Sequence, residues 1–214
     1  MEGELDAAST IKFDMIRAHV ILKNGYTSIL KQVDEDHYKD LPNWIGYVEA
    51  WCVTVAHHHD AEELHLFPYL STKMNVHEEL EDHKIIHDGI EDLLKWIVAA
   101  KSDRSKYSAQ LLKEKLSRMG PTFLKHLDEE VEHLSHENLL QFPEDELGSA
   151  WKGFLNYAKT HSNPFIALPF IKSHTPPEYK WWPAGVPWII NKLMVPLLPL
   201  KHSGYWKYAP YPTS

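Results

Sequence analysis

His58 and Glu62, His83 and His87, and His126 and Glu130 are each four residues apart, and a single His19 precedes them. Residues four apart on a helix lie one turn above each other on one face. Each pair would therefore present two metal-type donors side by side. The spacing alone is weak evidence, because His59/Glu63, His77/Glu81, His87/Glu91 and His133/Glu137 repeat it. The order carries more weight: one His, then His-x-x-x-Glu, His-x-x-x-His and His-x-x-x-Glu, on successive helical segments. Each set interrupts an apolar stripe, made by Trp51, Val55, Leu66 and Tyr69 around the second, Ile86, Ile90 and Leu94 around the third, and Phe123 and Leu134 around the fourth.

A lone buried histidine is usually a hydrogen-bonded core residue, but seven inward ionisable groups are another matter. Burying two carboxylates among imidazoles is costly without a compensating cation. Five imidazoles and two carboxylates are too many donors for one tetrahedral zinc and too rich in nitrogen for calcium or magnesium. Two first-row ions sharing the carboxylates fit, with iron the natural candidate and manganese or zinc as alternatives. Such a pair would leave coordination places open for a small ligand.

Four long segments of helical periodicity must position these groups. They run from about Ser9 to Val33, Pro42 to Leu70, Val76 to Lys101 and Lys106 to Leu140, with Gly120-Pro121-Thr122 a kink in the last. A shorter helix follows from about Glu144 to Lys159. Long helices joined by short loops pack as antiparallel neighbours, so the expected fold is an all-α, up-down-up-down four-helix bundle over residues 1–162. From Asn163 onward the composition changes: ten of the 14 prolines and four of the eight tryptophans lie there. Residues 163–214 therefore read as an extended Pro/aromatic-rich arm laid over the bundle. The alternative for the run WWPAGVPWIINKLMVPLLPL is a surface for peripheral membrane contact or a partner.

Formal net charge is −8 at pH 7, which disfavours a nucleic-acid partner. The lone Cys52 allows neither an intrachain disulfide nor a zinc site of cysteine pairs. The opening MEGELDAAST lacks the basic start and apolar core of a secretion signal. The longest apolar run is broken by Pro187, Lys192, Pro196 and Pro199, which leaves no expected transmembrane segment. A cytoplasmic protein is the expectation.

On these residues, and on HHDAEELHLFP (58–68) in particular, the sequence resembles the hemerythrin-like, HHE cation-binding family over about Ile11 to Leu140. The resemblance implies that His19, His58, Glu62, His83, His87, His126 and Glu130 hold two iron ions, with Glu62 and Glu130 as bridges. The oxygen carriers of this family place an aspartate five residues after the last histidine; here that position is Val131, and Glu130 takes the role. His65 and His133 depart from the pattern. Each lies seven residues after its helix's ligand histidine, where Tyr26 and Ile90 follow His19 and His83. Together with Tyr26 they are candidates for partners of the ligands, proton donors or an extra metal site, unless helix drift brings them to solvent. His57 and His59 are expected to face outward.

Imidazole-rich donors leave a metal pair less electron-rich than carboxylates do, which favours reversible binding of dioxygen or nitric oxide, or of iron itself. The alternatives are a di-iron oxidase or oxygenase acting on a small organic substrate, roofed by the arm, and an iron-sensing regulatory module.

Overall fold

The computed structural model describes residues 5–179 and 195–213. All regular structure among them is helical. The long helices are α1 (Ala7–Gln32), α2 (Leu41–Ala61), α4 (His77–Ser102) and α5 (Ala109–His133). A π-helical turn, Glu62–Leu66, joins α2 to the single turn α3 (Phe67–Leu70). After α5 come the short α6 (His136–Leu139), then α7 (Glu144–His161) and α8 (Pro164–His174).

Local chemistry sets the boundaries. Asp6 caps α1 by accepting from the Ser9 amide at 2.7 Å, and Ser108 caps α5 through the Leu111 amide. Pro42 occupies the first turn of α2, where its missing N–H costs nothing. Pro121 lies inside α5, which continues through it. Gly120, beside it, is required for packing, because a Cβ there would collide with the Tyr26 hydroxyl.

Helix α1 packs on α2 and α5, and α4 packs on the same two, so the four helices close a ring. Its interior holds two apolar clusters. One contains Leu22, Tyr26, Trp51, Val55, Ile86, Ile90 and Phe123; the other contains Ile11, Met15, Ala61, Leu66, Phe67 and Leu134. The buried His19, His58, His59, Glu62, His83, His126 and Glu130 fall between them along each helix.

The described C-terminal residues, 163–179 and 195–213, are helical and turn-rich, where the sequence reads as an extended arm. Helix α8 starts at Pro164, where the missing N–H costs nothing, and continues through Pro169 inside it. Phe170, Trp206 and Tyr208 are part of the first cluster. Ser28 and Gln32 donate to the Tyr208 carbonyl at 2.6 and 2.7 Å, and His174 Nε2 lies 2.8 Å from the Tyr47 hydroxyl. These bonds tie α8 and the last turns to α1 and α2. Residues 180–194, which carry most of the WWPAGVPWIINKLMVPLLPL run, lie outside the described residues. No helix among the described residues is long and apolar enough to cross a membrane.

Candidate metal centre

Two pairs of imidazoles face each other across the bundle. His19 Nε2 lies 3.1 Å from His58 Nε2, and His83 Nε2 lies 3.0 Å from His126 Nε2. Glu62 spans both pairs, with Oε1 3.0 Å from His58 Nε2 and Oε2 3.6 Å from His83 Nε2. Glu130 Oε2 also reaches both, at 3.2 Å from His19 Nε2 and 3.6 Å from His126 Nε2. His59 completes the second pair, its ring 4.4 Å from that of His83 and 5.2 Å from that of His126. Donor atoms of His19, His58, Glu62 and Glu130 lie within 4.8 Å of one another, as do those of His59, His83 and His126.

The hydrogen bonds fix which nitrogen carries the proton in two of the rings. A carbonyl only accepts, so His19 Nδ1–H donates to the Leu127 carbonyl at 2.7 Å. His83 Nδ1–H donates to Glu63 Oε1 at 3.0 Å. In both rings the Nε2 facing the centre is then a bare lone pair. All four oxygens of Glu62 and Glu130, and both nitrogens of His59, lack a hydrogen-bond partner. A nitrogen lone pair 3.2 Å from a carboxylate oxygen is two acceptors in contact, which needs a cation or a proton between them.

Burial decides the charge states. It pushes His58 and His126 down to about 4 and His83 down to about 2. His19 and His59 are held well below the ordinary value by the same cause, reinforced by neighbouring histidines. Burial, then the charges of Glu130 and Glu63, pushes the Glu62 carboxyl well up. Glu130 is also raised by burial, against the pull of His126 and His58. The imidazoles are thus neutral donors, and the carboxyls resist ionising unless a cation joins them. The residues present fit a pair of divalent ions.

This geometry stands beside a match to the family model for the hemerythrin HHE cation-binding domain, over residues 14–144. The chain belongs to the hemerythrin HHE cation-binding family. It is also 24% identical over 209 residues to "Dimeric xanthone biosynthesis cluster protein R11" from Cryptosporiopsis sp. (strain 8999), covering 92% of this chain and 77% of that protein. No solved structure matches it. The HHE match takes in all seven buried donors and ends at the start of α7. Helices α7 and α8 therefore lie beyond it, and α7 sets the Phe154 ring edge-on to His58 with centroids 5.8 Å apart.

The packing places His59 and His87 differently from the sequence reading of this HHE site. His59 does not face outward: it is wholly buried, although His57 beside it is only half-buried. A helix at the corner of a bundle turns an arc of at least about 100° to the core. Two consecutive residues can then both point inward, His58 toward α1 and His59 toward α4 and α5. His87 does not join the buried ring. The buried stripe of α4 runs His83, Ile86, Ile90, Leu93, Ile97 and Ala100, and His87 stands one position outside it, its side chain 30% exposed. The stripe itself was the missed signal.

The other candidates lie further out. Tyr26 donates to the Leu116 carbonyl at 3.3 Å and packs between Trp51 and Phe123. His133 is hydrogen-bonded to Glu79 of α4. His65 is exposed and lines a surface groove with Pro68, Tyr69, Glu146 and Gly153. The π-helical turn has a local cause as well. The Phe67 amide donates five residues back to the Glu62 carbonyl, and Pro68 has no amide to restore regular pairing. The turn places Glu62 in the centre and Glu63 against His83, side by side in sequence.

Proposed function

We propose that the chain holds two first-row metal ions, iron by donor type. His19 and His58 serve one pole, His59, His83 and His126 the other, and Glu62 and Glu130 are shared between them. The observation that carries this is the set of four unpartnered carboxylate oxygens facing imidazole nitrogens inside the bundle. An up-down-up-down run of α1, α2, α4 and α5 belongs to the same reading. It is supported by the alternating order in which successive helices meet the two apolar clusters.

When bound, such a pair of ions supplies a Lewis-acidic, redox-active position for a small ligand such as dioxygen or nitric oxide. The chain's own residues determine where that ligand has room. The His19/His58 pole has two imidazoles against three at the other, so fewer protein donors fill its coordination places. His58 is also the least buried of the seven, at 9% exposure. Phe154 and Trp151, stacked at 4.4 Å, wall that side with apolar surface and exclude bulk water. Leu127 and Glu63 orient His19 and His83 by holding their Nδ1 protons.

A second reading, an iron-dependent oxidase or oxygenase acting on a small organic molecule, is favoured by the relative named for a biosynthesis cluster. One experiment separates the two. Iron(II) is titrated anaerobically into the chelated protein, and the optical spectrum is followed while oxygen is admitted and removed. Two ions per chain and a charge-transfer band that comes and goes with oxygen are expected for reversible binding. Irreversible oxidation would favour the oxidase, and fewer than two ions per chain would refute the dinuclear site.

A further inference from the structure

The seven buried donors are at most 9% exposed, so a hydrated ion cannot reach them directly. One side of the centre, however, carries a second group of donors open to solvent. Glu63 Oε1, 3.0 Å from His83 Nδ1, is also 3.3 Å from His87 Nε2. His87 Nε2 is in turn 3.8 Å from Asp60 Oδ1. The side chains of His87, Glu63 and Asp60 are 30%, 35% and 40% exposed.

We propose that Asp60, Glu63 and His87 form a docking site for a divalent cation at the mouth of the buried centre, from which the ion passes inward by way of His59. This rests on the dinuclear reading above. Donor atoms of Glu63, His83 and His87 lie within 4.8 Å of one another, and His59, a donor of the second pole, is wholly buried with neither nitrogen hydrogen-bonded. Its ring lies 6.0 Å from that of His87 and 4.4 Å from that of His83, so it stands between the rim and the centre. A neutral imidazole without fixed partners is free to exchange donors with an incoming ion. His83 forms the shared wall, with Nδ1 toward the rim and Nε2 toward the centre. Orienting His83 needs Glu63 alone and does not account for Asp60 and His87 gathered on the same side. Two carboxylates at the rim offer the charge to attract a cation and the oxygens to replace its water.

The test uses the full chain and cobalt(II) alone, whose d–d bands report uptake. Asp60→Asn and His87→Gln change half-buried residues outside the buried ring and keep side-chain size close to the original. Both variants are expected to reach two cobalt ions per chain, but roughly tenfold more slowly at low salt: Asp60→Asn because a charged mouth raises local cation concentration, and His87→Gln because a donor at the mouth is lost. Uptake by Asp60→Asn should also depend less on ionic strength. Equal rates in wild type and variants would overturn the proposal. So would a stoichiometry below two for His87→Gln, since His87 would then be a ligand of the centre itself. Failure of the wild type to take up two ions would instead overturn the dinuclear reading, and the portal with it.

Discussion

Replacing Glu62 by methionine should make the metal-free protein more stable while abolishing its response to metal. Without a cation, Glu62 is fully buried and neither carboxylate oxygen has a hydrogen-bond partner. Its neighbours His58 and His83 are neutral, held down to about 4 and about 2 by burial. Removing the carboxyl therefore leaves no charge stranded. A buried polar group without a hydrogen-bond partner typically costs about 1–3 kcal/mol, a cost that an apolar side chain of similar volume removes. For a chain of this length each kcal/mol moves Tm by roughly 2–4 °C, so the variant should melt higher than wild type in chelator by several degrees. With metal the order should reverse. An ion present at about a thousand times its Kd adds about 4 kcal/mol to the wild type and little to a variant lacking the shared carboxylate. Differential scanning calorimetry in chelator and in graded manganese(II) or zinc(II) measures both halves. A variant that melts lower than wild type in chelator would refute the reasoning, because the carboxyl would then be satisfied within the protein.

Two further perturbations probe residues around the centre. Glu63→Ala removes the acceptor of His83 Nδ1–H, and metal affinity should fall about 10–100-fold; unchanged affinity by competition with a chelator would show that His83 needs no such anchor. His174, far along the bundle, is wholly buried and pushed down to about 3 by burial. Below its ordinary 6.5 the unfolded chain takes up a proton that the folded chain refuses. The stability tied to the neutral ring is thus intact above pH 6.5 and lost as pH falls toward 3. In His174→Phe, the slope of stability against pH across that window should be shallower by about 1.4 kcal/mol per pH unit; equal slopes by urea unfolding would argue against this assignment.

What the sequence determined is the kind of site and its level in the fold. Histidines and glutamates four apart, set into apolar stripes on successive segments, place donors together on one level whatever the details of packing, because helical periodicity is a local property. Thus the shared burial of His19, His58, Glu62, His83, His126 and Glu130 was legible from their order on successive segments within apolar stripes. The π-helical turn was less so, since its trace is a single Pro68 in an otherwise regular pattern.

Tertiary structure decided which of two neighbouring candidates turns inward. His59 and His87 both sit beside a stripe, and their periodicity is equally compatible with core or rim. The corner position of α2 opens an arc wide enough to admit His58 and His59 together, whereas Ile86 and Ile90 already fill the face of α4 that His87 would need. The roof over His58 was settled in the same way, since Phe154 lies 96 residues further along the chain. Contacts of that range depend on how whole helices are rotated about their axes, and that rotation is set by the packing of every side chain in the core.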